Sequence, residues 1–234
     1  MMSDIRASAV VDLLGMLAFA ELLAFDRMAS DARLAPDLRR RAILSEMAAT
    51  EIANYCRLAD RLSDLGVDPE DAMTPFVAPL QAYHDQTEPG DWYEGLAKAY
   101  VGDSVADDFT REVAQLLDAP DRELVIDVLH DSRHGEFAAE ELRQAIGEDP
   151  KLANRLSMWS RRLVGEGLSQ AMRVAVERPA LAILLAVGVE GVGVDGAAPA
   201  GDAASAGGAS GVPALFRRLT AAHTARMTAV GLNN

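Results

Sequence analysis

The sequence has one cysteine and few aromatic residues. Cys56 is the only cysteine among 234 residues, so no internal disulfide can form, and we expect a buried thiol in a reducing compartment. Aromatic residues make up 5% of the chain and apolar residues 50%, with alanine and leucine abundant. This composition favours helices over sheets and predicts an all-α fold of one domain, or one domain with an appendage.

Basic charge and long apolar runs are also scarce. The net charge is −14, and residues 1–150 carry 31 acidic but only 13 basic side chains, which argues against a nucleic-acid partner. Asp4 and Asp12 interrupt the apolar N-terminal stretch, so it does not read as a signal peptide. The apolar run 180–189 is too short to span a bilayer. We therefore expect a cytoplasmic protein with no membrane partner.

Apolar residues recur at intervals of three and four along most of the chain, which predicts amphipathic helices. A proline-rich connection after the second helix, with a short helix near 76–84, predicts a long crossover of the kind that some four-helix bundles use. The predicted helices cover residues 5–30, 36–65, 92–117, 121–146, 150–178 and 213–230.

Three parts follow from this pattern. Residues 1–185 form the helical bundle together with a fifth helix. Residues 186–212 consist almost wholly of small residues without periodicity and predict a flexible Gly/Ala-rich linker. Residues 213–234 form a C-terminal helix that we expect to pack on the bundle.

Acidic residues interrupt the apolar faces of the four bundle helices at matched positions. Glu21 and Glu51 lie 30 residues apart, and Asp103 and Asp131 lie 28 residues apart. His134 follows Asp131 by three residues and therefore shares its helix face. Burying a carboxylate among leucines costs several kcal/mol unless it is paired, protonated or bound to a metal. Carboxylates with an imidazole predict a site for iron or manganese, with one or two ions per chain.

Other roles for these residues remain open. The two glutamates could pair with buried arginines such as Arg57, and Asp103 could be a partly exposed acid. His130 lies one turn before His134 and could be the ligand in its place. Asp127 could orient a ligand from behind or could simply be a solvated acid.

The ordered acids with an acid-x-x-His run resemble the ferritin-like di-iron carboxylate superfamily, in which two helices carry one Glu each and two carry Glu-x-x-His. Within it, residues 10–145 are similar to the tRNA 2-methylthio-isopentenyladenosine hydroxylases and to a group of actinobacterial ferritin-like proteins. The resemblance implies a ferritin-like four-helix bundle with additional C-terminal helices. It also implies a metal-ligand set. Asn54 stands where the first histidine belongs, and aspartates replace two glutamates. The implied ligands are Glu21, Glu51, Asp103, Asp131 and His134.

Three functions are compatible with this pattern. The first is an oxygen-dependent di-iron hydroxylase or monooxygenase with a partly degenerate site, acting on a small-molecule substrate with an apolar group. The alternative is a non-catalytic binding module whose metal is lost or reduced to one ion, and Asn54 is the feature that separates the two. The third, iron storage, fits poorly, because six helices and a long linker suit cage assembly badly. A homodimer is compatible with each.

Overall fold

The computed structural model describes residues 2–129, 133–181 and 212–233, which are almost entirely helical. No β-strand occurs within these ranges, so the all-α prediction is confirmed. The helices are α1 (Met2–Asp31), α2 (Leu38–Asp64), α3 (Pro69–Gln86), α4 (Trp92–Ala97), a π-helical turn (Lys98–Asp103), α5 (Ser104–Ala114), α6 (Ala119–Val128), α7 (Arg133–Glu148), α8 (Pro150–Glu177) and α9 (Val212–Ala229).

Local sequence signals explain where α2 ends and where the crossover helix α3 begins. Gly66 follows α2 with a φ of 76°, a left-handed conformation that ends helices and that glycine adopts without strain. The Asp68 carboxylate then accepts a hydrogen bond from the backbone N–H of Glu70 at 2.8 Å, and Pro69 occupies the first turn. The crossover therefore contains an 18-residue helix, longer than the short segment that we expected.

Helix α3 packs directly on α1. A Cβ atom built on Gly15 would lie 2.3 Å from the backbone oxygen of Ala72, so only glycine permits this approach. Phe76, one turn further along α3, is fully buried in the core that α1 and α2 also line. The crossover is thus part of the packed bundle and not a surface loop.

The third bundle helix is interrupted where a continuous helix over 92–117 was predicted. The π-helical turn at Lys98–Asp103 accommodates one residue more than an α-turn and so shifts the register of everything after it. Ala106, expected on the apolar face, is exposed, whereas Asp107 is half-buried and Thr110 is buried. The 3.6-residue period of the sequence cannot register this shift.

The predicted fourth helix over 121–146 is also not continuous among the described residues. Helix α6 ends at Val128 and α7 begins at Arg133, with His130, Asp131 and Ser132 outside the described residues. The Arg111 guanidinium on α5 donates a hydrogen bond to the Leu129 carbonyl oxygen at the end of α6. This contact ties α5 to the chain just before the predicted ligands.

The core consists of two main apolar clusters. The first lies between α1, α2, α3 and the ends of α5 and α6, and the second lies between α4, α7, α8 and α9. Fully buried members of the first cluster include Leu13, Leu14, Leu58, Leu62 and Phe76, and those of the second include Leu142, Leu156 and Met227.

The C-terminal helix contacts α5 and the π-helical turn. Arg218 pairs with Glu112 at 2.7 Å, Arg226 pairs with Asp108, and the Tyr100 hydroxyl donates to the Arg226 carbonyl oxygen at 3.2 Å. A positively charged helix thus covers acids of α5. The predicted linker lies outside the described residues except for Val212.

The apolar part of α1 packs inside the bundle. The stretch Arg6–Asp31 is long and apolar enough to cross a membrane, with a mean hydropathy of 1.9, but half of its most apolar window is buried inside the bundle, as in a core helix.

Cys56 is exposed on α2, so the expectation of a buried thiol was wrong. Asn54 and Leu58 lie on the buried face of α2, whereas Cys56, between them in sequence, points to a different side of the helix.

Candidate metal centre

Helices α1 and α2 bring Glu21 and Glu51 into direct contact. The two side chains share a hydrogen bond, and Glu21 is only 8% exposed. The Asn54 amide lies beside them and makes long contacts of 3.5 Å to a Glu21 carboxylate oxygen and 3.4 Å to the Val128 carbonyl oxygen. The structure therefore brings together the two first carboxylates that the sequence predicts, with an amide at the position of the missing histidine.

Glu21 holds a proton at neutral pH in the metal-free protein. Burial is the largest cause and raises its pKa from 4.5 to about 10, with a further increase from the hydrogen bond to Glu51 and from the Glu51 charge. The Asn54 amide acts in the opposite direction because it donates to the carboxylate. The first pair of acids is thus stabilised by a shared proton.

Asp103 is stabilised differently, by an arginine. The Arg27 guanidinium donates to both oxygens of the Asp103 carboxylate, at 2.8 and 2.5 Å. The arginine side chain is 8% exposed and the aspartate side chain 31% exposed. A bidentate pair of this kind fixes the orientation of the carboxylate, uses one lone pair of each oxygen and brings a positive charge that disfavours a metal ion there.

Asp107 is the acid of the third helix whose charge reaches the glutamate pair. Burial is the main cause that raises its pKa to about 7, and the charges of Asp103 and Glu51 add to the shift. Asp107 in turn raises the pKa of Glu21. Sequence analysis missed this residue, although it lies four residues after Asp103 and therefore on the same helix face, because only one acid was taken from each helix.

A second polar layer adjoins the Arg27–Asp103 pair. Lys98 is 1% exposed and donates to the Thr87 carbonyl oxygen at 2.8 Å, and burial lowers its pKa to about 8. Burial raises the pKa of the nearby Asp31. Two cations and two acids therefore lie near one another in this layer, and the charge of Glu88 also acts on Lys98.

The remaining predicted ligand helix is only partly described. His134 is half-buried in the first turn of α7, whereas Asp131 and His130 lie outside the described residues. The Arg57 guanidinium pairs with Asp127 at 2.5 Å on the surface. Arg57 thus pairs with Asp127 in place of the glutamates, and Asp127 is an exposed acid.

The donor set fits one metal ion better than two. Within the described ranges, no three His, Cys, Asp or Glu side chains come together closely enough to hold a metal ion. The first half offers two carboxylates and an amide, which is a weak ligand, and the Asp103 carboxylate is engaged by Arg27. Metal binding by Glu21, Glu51, Asp103, Asp131 and His134 stays a prediction.

Comparison with known proteins places the fold. Residues 5–188 match the family model of the ferritin-like domain of actinomycetes. The chain belongs to this family. This ferritin-like chain is also similar to the solved structure of protein 19 with aldehyde deformylating oxidase activity from Synechococcus, with 16% identity and a TM-score of 0.74 over 99% of this chain and 94% of that one. This likeness shows a shared fold. The search of curated proteins gives no match.

Proposed function

We propose that this ferritin-like protein binds a single iron or manganese ion per chain, in a site that has lost its second metal position. The observation that carries this proposal is the bidentate pair of Arg27 and Asp103, since it engages one of the predicted carboxylates. Asn54 supports it from the other half, because an amide replaces an imidazole there.

The ion would be held by Glu51 together with Asp131 and His134, the half of the pattern that keeps its imidazole. Bound iron supplies redox chemistry toward dioxygen. Glu21 would contribute by holding or releasing the proton that it shares with Glu51. We propose a cytoplasmic protein, and its acidic first 150 residues favour a small-molecule partner over a nucleic acid.

A second candidate is an oxygen-dependent hydroxylase or monooxygenase. The contact between Glu21 and Glu51 favours it, because two touching carboxylates on neighbouring helices are suited to bridging a pair of ions. The oxidase activity in the name of the similar Synechococcus structure is consistent with it.

Metal content separates the two candidates. Protein purified without chelator and reconstituted with Fe(II) under anaerobic conditions should contain about one iron per chain by elemental analysis. Dioxygen uptake is then measured after the addition of a reductant and compared with free Fe(II). Two irons per chain with reductant-dependent uptake would favour the hydroxylase, and no iron above background would overturn both candidates.

A further inference from the structure

We propose that Arg27 is a built-in cation that takes the place of one metal ion, neutralising Asp103 and keeping it out of the metal-ligand set. This inference rests on the proposed single-metal site and names the residue that removed the second position. Arg27 lies on α1, six residues after Glu21, and reaches across 76 residues of sequence to the π-helical turn. No motif in the sequence marks it.

The geometry of the pair supports a permanent cation. A guanidinium stays charged at all relevant pH values, and its two parallel N–H bonds match both oxygens of a carboxylate. The Arg27 side chain is nearly inaccessible, so water cannot replace its partner. Without Arg27, the partly buried Asp103 carboxylate would keep its charge close to that of Asp31, which favours a metal ion in the place of the guanidinium.

The π-helical turn ends at the residue that pairs with Arg27. Gly102 lies close to α3, where a Cβ atom would be 2.6 Å from the Tyr83 hydroxyl, so a larger residue would force the tyrosine ring or the turn to shift. Asp103, the next residue, pairs with Arg27 of α1, and Asp107, one turn further along, is close enough to Glu51 for the two charges to interact. The third helix thus provides one acid for the arginine and another near the candidate centre.

The charges around Arg27 are balanced locally. Lys98 and Arg27 are the cations, and Asp31 and Asp103 are the acids in the same polar layer. Removing the arginine leaves two acids against one lysine, which is an environment that attracts a divalent cation. Arg57, whose pair with Asp127 lies on the surface, offers a matched control for the loss of an arginine–aspartate pair.

The test compares wild type with Arg27→Met and Arg57→Met. After chelator treatment, Arg27→Met should lose roughly 6 °C in Tm, because it leaves the partly buried Asp103 carboxylate without its partner, whereas Arg57→Met should lose less than about 3 °C. On dialysis against Mn²⁺, Arg27→Met should retain up to one more ion per chain than wild type and regain most of its Tm. Arg57→Met should match the wild-type metal content.

Two further variants keep the proposal falsifiable if Arg27→Met folds poorly. Arg27→Lys keeps the charge and should bind no additional Mn²⁺. Asp103→Asn should keep the wild-type metal content at a lower Tm, and loss of metal there would overturn the proposal, as would an Arg27→Met variant that gains none. If wild type binds no metal, the proposed function fails, while a gain of metal by Arg27→Met would still support the role of Arg27.

Discussion

The two halves of the candidate centre stabilise their carboxylates in different ways. In the α1–α2 half, the buried Glu21 carries a proton beside the half-buried Glu51, with Asn54 next to them. In the half formed by the π-helical turn and α5, Asp103 is paired with an arginine. A matched spacing of acids therefore does not imply matched chemistry. The negative charge of a carboxylate that is removed from water must be neutralised, and a proton, a guanidinium or a metal ion can each do this.

The halves also differ in what they can still bind. A proton exchanges readily for a metal ion, since metal binding requires deprotonated ligands and releases protons. An arginine side chain, in contrast, is covalently part of the protein and does not exchange for a metal ion. The glutamate pair therefore remains available to an ion, whereas Asp103 is committed. This difference predicts that metal binding depends on Glu51 and on the helix that carries His134.

The largest expected effect comes from His134. We predict that His134→Ala reduces bound iron from about one ion per chain to near none, because the proposed site takes its single imidazole from His134. Asn54→His should act in the opposite direction and raise occupancy, since it restores an imidazole beside Glu51. Iron and manganese per chain, measured after reconstitution of the three proteins, check both expectations.

Asn54→Ala is the control for this pair of variants, because it removes the amide without adding a ligand. If His134→Ala keeps the full metal content and Asn54→His changes nothing, the acids are not a metal site. The two halves would then differ only in how they compensate buried charge.

Periodicity predicted most of the helices but not the register of the site. The sequence predicted the buried faces of α1 and α2, since Leu14 and Glu21 lie on one face of α1, and Leu44 and Leu58 lie on one face of α2. The π-helical turn was not predicted, because it adds a residue to the helix without a sequence signal.

Long-range partners were equally invisible. Arg27 and Asp103 are 76 residues apart, and nothing local to either residue indicates the other. The glutamate pair was easier, because an acid in the middle of an apolar stripe on each of two neighbouring helices predicts that the two acids meet. Its ionisation state required the structure, since burial and the Glu51 contact determine it.

The next largest effect concerns the pH dependence of the metal-free protein. The folded pKa of Glu21, about 10, lies above its ordinary value of 4.5, so the folded state binds more protons between these values. Stability therefore falls as pH rises through this window. Glu21→Gln cannot ionise, so its stability relative to wild type should rise by about 3 kcal/mol between pH 7 and pH 9, with little difference between the two proteins near pH 4.

Urea unfolding of chelator-treated protein at several pH values measures this difference. Asp107 contributes a similar decline that ends near pH 7, and Lys98, with a pKa of about 8, acts in the opposite direction above that pH. Both groups are present in wild type and in Glu21→Gln, so the difference between the two proteins isolates Glu21. Glu46→Gln, at an exposed position on the same helix as Glu51, is the control and should follow wild type. A Glu21→Gln curve parallel to wild type above pH 7 would mean that Glu21 is not the buried proton carrier.

The smallest expected effect tests whether the π-helical turn creates the difference between the halves. Gly102→Ala places a Cβ atom 2.6 Å from the Tyr83 hydroxyl, so the turn or α3 must move, and we expect a loss of about 2 kcal/mol in the free energy of unfolding. Gly165→Ala is the matched control, because a Cβ there meets nothing within 4 Å in α8, and it should gain about 0.5–1 kcal/mol from helix propensity. Tyr83→Phe removes the clashing oxygen and should recover part of the loss in the Gly102→Ala background. A Gly102→Ala variant as stable as Gly165→Ala would show that the close approach of α3 does not maintain the turn, and that the register of Asp103 and Asp107 has another cause.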